Sequence, residues 1–157
     1  MKVKISPYRD SGRNISIEID PHDTFSVDST LAYIVLPLLI QLKQTQMGVP
    51  HEFAEVGGED YHLQLSFDFY TETQEEAFKL GVARWNIILD KMIWSWQKLC
   101  EDDYESRYYH GEYKPWHADE SIRKSPFWVD DIGLELHNAR IQEGLDLFGK
   151  YMRHLWD

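Results

Sequence analysis

Cysteine is almost absent from this chain. The single residue, Cys100, has no second thiol to pair with, so folds stapled by internal disulfides are excluded and a reducing compartment is expected. Long apolar stretches are also missing. The longest one, Leu31 to Ile40, contains Pro37 and is too short to span a bilayer. The first residues show no signal-peptide pattern, so we expect neither a membrane span nor a secreted, disulfide-rich domain.

Recognised catalytic and nucleotide-binding motifs are missing too. The chain contains no G-x-x-x-x-G-K-[ST], G-x-G-x-x-G, G-x-S-x-G or H-E-x-x-H pattern. Cys100 stands in no context typical of a nucleophile, and one cysteine cannot build a structural zinc site. The sequence therefore favours a protein without catalysis, cofactor or bound metal, while leaving enzymatic activity open.

Positive charge is scarce, and it is scarcest after residue 50. The chain has 16 Lys and Arg against 27 Asp and Glu, a net charge of −11. Residues 1–50 carry five charges of each sign, whereas residues 51–157 carry 11 positive and 22 negative ones. Such a field repels phosphates, so binding to duplex nucleic acid is not expected. It attracts basic partners or metal cations, although the simplest interpretation is that it keeps an aromatic-rich surface soluble.

Two long helices are the strongest features present. The spacing predicts one helix over 74–100 and another over 131–156, each with seven stripe positions separated by steps of 4 and 3 residues. We predict that the two seams pack together, antiparallel. Asp130 or Asp131 is expected to cap the second helix. Gly144 and Gly149 each weaken a helix, which suggests that another backbone or a ligand approaches closely there. The stripes comprise Phe78, Val82, Trp85, Leu89, Met92, Trp96 and Leu99, and Leu134, Asn138, Ile141, Leu145, Phe148, Met152 and Leu155.

The remaining segments predict an α+β fold in a single domain, 1–157. Alternating residues indicate a hairpin of half-buried strands over 1–20 and a strand over 61–70, and hence a small antiparallel sheet of about three strands packed on three main helices. The third helix spans 28–46, with Asp28 or Ser29 as its cap. The loop-like stretch Phe53 to Asp60 and the irregular aromatic segment 101–129 complete the chain. The stripe predicted for the 28–46 helix is Leu31, Ile34, Val35, Leu38, Leu39 and Leu42.

Cations and aromatics on the two long helices form the main candidate site. Arg offers a planar fork for phosphate, and Trp or Tyr can stack on a base. Because cations are scarce beyond residue 50, this set favours a ligand-binding site, although a core role for Trp85 and ion pairs for the cations are the simpler interpretation. The set comprises Arg84, Trp85, Lys91, Arg140, Lys150 and Tyr151.

Two clusters of Asp, Glu and His are the candidate metal ligands for an alternative function, that of a metal-dependent hydrolase. Asp and His are suitable metal ligands, but Asp also caps helices and forms turns without any ligand. The clusters are Asp20, His22, Asp23 and Asp28, and His110, His117, Asp119 and Glu120.

Three segments, which together cover about half the chain, resemble a family of small, functionally uncharacterised proteins encoded by tailed bacteriophages. They read DTFSVDSTLAYIVLPLLIQLKQTQMGVP, FDFYTETQEEAFKLGVARWNIILDKMIWSW and RIQEGLDLFGKYMRHLWD. Where the family pattern reads DTWSMDHTLA, this chain has Phe25, Val27 and Ser29 in place of Trp, Met and His. The resemblance implies a phage accessory protein made in the host bacterial cytoplasm, and it implies no mechanism.

Three hypotheses follow from these observations. The first is a non-catalytic phage accessory protein that sequesters a small anionic nucleotide-type ligand, with an anti-defence role and a homo-oligomer as expectations. The second is an inhibitor that places its acidic, aromatic segment 101–131 in the basic groove of a host nucleic-acid enzyme. The third is a metal-dependent hydrolase that uses the Asp and His clusters.

Overall fold

The computed structural model describes residues 1–8, 12–54, 74–111 and 127–156. They form an α+β fold with three main helices, as the sequence predicts: α1 (Val27–Thr45), α3 (Gln74–Leu99) and α4 (Asp131–Tyr151). A single-turn helix, α2 (His51–Ala54), and 3-10 turns at Pro21–Thr24, Ser106–Tyr108 and Met152–His154 accompany them. Among the described residues, no helix combines the length and apolar character needed to cross a bilayer.

Helix α3 lies at the centre of the core. It packs against α4, α1 and α2. The predicted stripe is confirmed along most of its length, since five of its members are buried and Val82 is half-buried, whereas Phe78 is 41% exposed. The buried members are Trp85, Leu89, Met92, Trp96 and Leu99.

Helix α4 begins as predicted, and its buried face only partly matches the predicted stripe. The Asp130 carboxylate accepts a hydrogen bond from the Gly133 amide at 3.0 Å, which confirms the predicted cap. The helix ends at Tyr151, not at 156. Of the predicted stripe, Ile141 is buried and four members are half-buried, whereas Asn138 and Met152 are exposed. The half-buried members are Leu134, Leu145, Phe148 and Leu155. His137, Gly144 and Tyr151, which the stripe did not include, are buried as well.

The small residue Gly144 lies within the buried face of α4. A Cβ atom added at Gly144 would lie 2.0 Å from the Ser95 hydroxyl and 2.6 Å from the Lys91 carbonyl oxygen. The close approach predicted at Gly144 is therefore confirmed, and the backbone of α3 is what approaches. At Gly149 the expectation was wrong, because nothing lies within 4 Å of the added atom. Helix α4 therefore packs on α3 through the face where Gly144 allows the two helix backbones to come close together.

Helix α1 matches its predicted span within one residue, with Pro37 inside it. Its N-cap position is Ser26, whose side chain makes no capping hydrogen bond, so the cap predicted at Asp28 or Ser29 was wrong. The predicted buried stripe was also partly wrong, since Leu31 is 44% exposed and Leu38 is 64% exposed. Lys43 pairs with Asp90 of α3, and the face of α1 that packs against the core comprises Ala32, Val35, Leu36, Leu39 and Leu42.

The strands form two small antiparallel sheets. Strand β1 (Lys2–Ile5) pairs with β2 (Ile15–Glu18), and β3 (Tyr109–His110) pairs with β4 (Trp128–Val129). In the described part of the chain these are two-stranded sheets, so the predicted sheet of about three strands is not seen there. The predicted strand 61–70 lies outside the described residues.

The β1–β2 hairpin is much more exposed than its pattern predicts. Val3 faces Ile17 and Ile5 faces Ile15 across the strands, yet the three isoleucines are 53–62% exposed. The expectation of half-buried strands was therefore wrong, because alternation places apolar side chains on one face without supplying an element to cover it. An ion pair of 2.7 Å between the N-terminal ammonium and Asp23 links the hairpin to the turn before α1.

Candidate functional site

The six predicted ligand-binding residues fall into two groups along α3 and α4. In the first group, the rings of Trp85 and Tyr151 meet edge to face, with centroids 5.3 Å apart. Phe53 of α2 lies against both, at 5.9 Å and 5.7 Å. We refer to Phe53, Trp85 and Tyr151 as the aromatic cluster. All three side chains are at least 97% buried, so the core role that was the simpler interpretation for Trp85 is what the structure shows.

Sequence reasoning missed Phe53, because a single helical turn after Pro50 has no periodicity to detect. Gly81, a glycine inside the predicted α3 helix, was the signal that could have indicated a close neighbour there. A Cβ atom added there would lie 2.1 Å from the Phe53 carbonyl oxygen, so only glycine lets α2 sit this close to α3.

Two cations are neighbours in sequence of residues of the aromatic cluster, and one of them contacts a ring. Arg84 precedes Trp85 in α3 and is only 7% exposed. The Lys150 ammonium lies 4.7 Å from the centroid of the Tyr151 ring. Burial, together with a hydrogen bond to Glu52, raises the pKa of the Tyr151 hydroxyl to about 12. The hydroxyl therefore stays protonated at neutral pH.

Two buried acceptor atoms lie on the elements beside this cluster. The Oε1 atoms of Glu52 and Gln46 are buried and have no hydrogen-bond partner within the described ranges. The amide nitrogen of Gln46 donates to Asn86 of α3 at 3.2 Å. Buried acceptors are costly to leave unsatisfied, so these two oxygens favour a group that brings hydrogen-bond donors.

Lys91 and Arg140 form the second group. Lys91 lies about 9 Å farther along α3 than Trp85, at 1.5 Å per residue. Lys91 pairs with Glu143 at 2.6 Å. The guanidinium of Arg140 lies 3.9 Å from the ring centroid of Trp94, a cation–π contact. Both cations are thus engaged by side chains of the chain itself, and the structure does not join them to the aromatic cluster.

A different site lies where α3 ends and α1 begins. A cavity of about 240 Å³ is lined by five carboxylate residues, which we call the acidic surface: Asp28, Glu101, Asp102, Asp103 and Glu105. Tyr104, Ser29 and Leu99 complete the lining. The carbonyl dipoles at the C-terminal end of α3 add to the negative potential here.

Two members of the acidic surface have internal partners. Glu101 binds Lys98 and also Arg107, the latter at 3.0 Å, and the hydrogen bond from Lys98 is the main cause of the lowered pKa of its carboxyl. Glu105 accepts a hydrogen bond from the Tyr109 hydroxyl at 3.1 Å. The other three, Asp28, Asp102 and Asp103, are exposed and carry no ion pair within the described part of the chain.

His137 is the most enclosed titratable group near this surface. It is 8% exposed, and the rings of Trp94, Tyr104 and Tyr108 surround it with centroids 5.3–5.5 Å away. Its Nε2 atom has no partner among the described residues. Burial lowers the pKa of His137, and the charges of Arg107 and Lys98 lower it further. The sequence placed His137 beside the predicted stripe but offered no sign of this aromatic enclosure.

The first predicted metal cluster serves as a cap. The Asp20 carboxylate accepts from the His22 amide at 2.9 Å, and the Asp23 carboxylate accepts from the Asp20 amide at 2.7 Å. These bonds form a capping box on the turn Pro21–Thr24, which is the simpler interpretation of the cluster. The hydrogen bond from the N-terminal ammonium is the main cause of the lowered pKa of Asp23.

In the second predicted metal cluster, His110 stacks on Trp128 at 4.1 Å. His117, Asp119 and Glu120 lie outside the described residues. Across the described ranges no three His, Cys, Asp or Glu residues are grouped so that they could hold a metal ion. The metal-dependent hydrolase therefore stays a prediction without a described site.

No protein-family model, curated protein or solved structure matches this chain. The resemblance to phage proteins therefore stays a prediction, and function has to be argued from the residues themselves.

Proposed function

We propose that this protein is a non-catalytic binding protein whose acidic surface engages a basic partner protein. The observation that supports this best is the cavity lined by five carboxylates drawn from α1 and from the turn after α3. The phage-accessory setting in a host cytoplasm belongs to the same proposal. There, the partner would be a host enzyme whose nucleic-acid groove carries the complementary positive charge.

The chemistry of the acidic surface fits a Lys or Arg side chain from a partner. One water molecule occupies about 30 Å³ in the liquid. The cavity, at about 240 Å³, is therefore large enough for the charged end of a Lys or Arg side chain. Asp28, Asp102 and Asp103 are solvated and carry no internal ion pair in the described part, so they are able to accept hydrogen bonds from such a group.

The experiment measures binding of an arginine-rich peptide and pull-down of host-lysate proteins at low and high salt. Asp102→Asn/Asp103→Asn removes two charges, and Asn tolerates the left-handed conformation that Asp103 adopts (φ 57°). Partly exposed ion pairs contribute about 0.2–1 kcal/mol each, so we expect about two- to thirtyfold weaker binding and strong salt dependence.

Glu135→Gln/Asp146→Asn is the matched control, because it removes two exposed charges from α4. Binding that is unchanged in high salt, or that weakens equally in the control, would count against the proposal.

A second candidate is the sequestration of a small anionic nucleotide-type ligand at the aromatic cluster. It is favoured by Lys150 against the Tyr151 ring, by the buried Arg84 next to Trp85 in sequence, and by the buried oxygens of Glu52 and Gln46 that have no partner among the described residues. The cations suit a phosphate, and an amino group on a base would supply the donors that these oxygens lack. Because the three rings contact one another, a base would enter only as α2 shifts.

Isothermal titration against cyclic and ADP-ribose-type nucleotides tests this candidate. Arg84→Gln should abolish the heat, whereas Lys79→Gln, an exposed cation on the same helix, should leave it unchanged. Since Arg84 is buried, the melting temperature of each variant is measured as well. No heat with any nucleotide would remove this candidate and leave the acidic-surface proposal intact.

We also infer that α3 and α4 run antiparallel. Trp85 contacts Tyr151, Lys91 binds Glu143 and Trp94 contacts His137, so residue numbers rise along one helix as they fall along the other.

A further inference from the structure

The short ribbon of strands β3 and β4 presents exposed aromatic side chains on both of its faces. Tyr109 and Phe127 lie on one face and are 40% and 42% exposed. Their rings stack with centroids 6.1 Å apart and an interplanar angle of 11°. His110 and Trp128 pair directly across the strands and stack on the opposite face, where Trp128 is 54% exposed. Each face of the ribbon therefore carries one aromatic pair.

The face that carries Tyr109 is continuous with the acidic surface. The Tyr109 hydroxyl donates a hydrogen bond to the Glu105 carboxylate at 3.1 Å. That bond is the main cause of the raised pKa of the Tyr109 hydroxyl, and the charges of Asp103 and Asp131 raise it as well. Glu105 makes no ion pair within the described ranges. The ring therefore lies beside a carboxylate that is able to accept further hydrogen bonds.

An exposed aromatic ring beside a carboxylate suits arginine better than lysine. The guanidinium group is planar, so it stacks on a ring while the N–H donors in its plane bond to a carboxylate. The lysine ammonium is a compact, strongly hydrated charge without this fork of donors. Carboxylates alone attract both cations, whereas the ring next to Glu105 favours the one that stacks.

We propose that the Tyr109–Phe127 face extends the partner-binding site beyond the acidic cavity and selects arginine over lysine in the basic partner. An arginine of the partner stacks on the Tyr109 ring and donates hydrogen bonds to Glu105, while Phe127 holds the ring in place. This inference rests on the proposed function, because it names the side chain that a partner of the acidic surface must present.

The test compares an oligo-arginine peptide with an oligo-lysine peptide of the same length by isothermal titration. A cation–π contact at an exposed site corresponds to about two- to fivefold in affinity, so the wild type should bind the arginine peptide more tightly by about that factor. NMR spectra of the complex give a second measurement. Stacking on a ring shifts the arginine side-chain protons through the ring current, and this shift should disappear in Tyr109→Leu.

Three variants isolate the contribution of the ring. Tyr109→Leu should lose most of the preference for arginine, whereas Tyr109→Phe, which lacks the hydroxyl but keeps the ring, should retain it. Trp128→Leu is the matched control, because it removes an exposed ring from the opposite face of the same ribbon and should also retain the preference. The melting temperature of each variant shows whether it is folded. If Tyr109→Leu is not, the ring-current shift in the wild type decides.

The outcomes separate this inference from the proposed function. Equal affinity of the wild type for the two peptides, or the absence of a ring-current shift, overturns the inference. In that case, binding that weakens in Asp102→Asn/Asp103→Asn still supports the proposed function. Loss of the preference in Trp128→Leu with retention in Tyr109→Leu also overturns the inference. No binding of either peptide overturns both.

Discussion

The α3–α4 contact and the β1–β2 hairpin both arise from regular apolar spacing, and they end in opposite environments. Leu89 and Met92 of α3 are fully buried, whereas Ile15 and Ile17 of the hairpin are 62% and 57% exposed. Each element has its predicted period, 3.6 residues for the helix and 2 for the strands. The difference is the partner: α3 packs against three other helices, while among the described elements the two strands of the hairpin pack mainly on each other. Periodicity therefore specifies an element, and burial depends on what covers it.

Among these substitutions, Leu89→Ala is expected to lower the free energy of unfolding the most. Leu89 is 0% exposed at the centre of the core, and a buried Leu→Ala change typically costs about 2–5 kcal/mol of unfolding free energy. Urea unfolding followed by circular dichroism measures the loss. A cost below about 1 kcal/mol would mean that the α3 core is loosely packed, contrary to the structure.

Gly144→Ala should destabilise the α3–α4 contact by about 1–3 kcal/mol. The added Cβ atom would meet the Ser95 hydroxyl at 2.0 Å and the Lys91 carbonyl oxygen at 2.6 Å, and the latter belongs to a rigid helix. Thermal unfolding measures the change. Gly149→Ala on the same helix is the control, because nothing lies within 4 Å there and alanine should stabilise by up to about 1 kcal/mol. Equal effects at both glycines would contradict the close approach.

His137 should make the α3–α4 end of the molecule sensitive to acid. Its pKa is lowered in the folded state by burial and by Arg107, Lys98 and Arg140, while Glu101 raises it. The unfolded chain therefore binds the proton more readily. Stability from this group is complete above an unfolded pKa of about 6.5 and falls as the pH drops from there towards the folded pKa, by at most about 1.4 kcal/mol per pH unit.

Unfolding free energies between pH 8 and 5 test this dependence. His137→Gln should flatten the slope between about pH 6.5 and 5. His22→Gln, at an exposed histidine that stacks on Phe25, is the matched control for removing an imidazole. An unaltered slope in His137→Gln would assign the acid sensitivity to other groups.

Ile17→Ala should have the smallest effect, about 0.5 kcal/mol or less, because the side chain is 57% exposed. The same urea titration used for Leu89→Ala measures it. A cost above about 2 kcal/mol would erase the contrast between the two regions and show that the hairpin face is covered in solution.

Much of the secondary structure follows from short-range patterns. The starts of α3 and α4, the span of α1 within one residue and the Asp130 cap were all predictable, because helix formation and capping involve residues within about one turn of each other. The close approach at Gly144 was predicted because a glycine inside a helix is costly, but the same reasoning was wrong at Gly149, so the cost alone does not show which glycine is approached. The split of the candidate ligand-binding residues into two groups was not predictable, because the sequence places Arg84 and Arg140 on helices without stating which residues they meet.

By itself, the sequence determined where the three main helices begin to within one residue, that the chain is acidic after residue 50, and that α1 and the hairpin are rich in apolar residues. Only the tertiary structure decided which apolar faces are covered. Ala32 rather than Leu31 faces the core, Phe53 completes the aromatic cluster, and His137 is enclosed by rings from three segments. The physical reason is the range of the interactions. Helical turns depend on neighbours three and four residues away, whereas burial depends on contacts such as that of Trp85 with Tyr151, which lie on different helices far apart in the sequence.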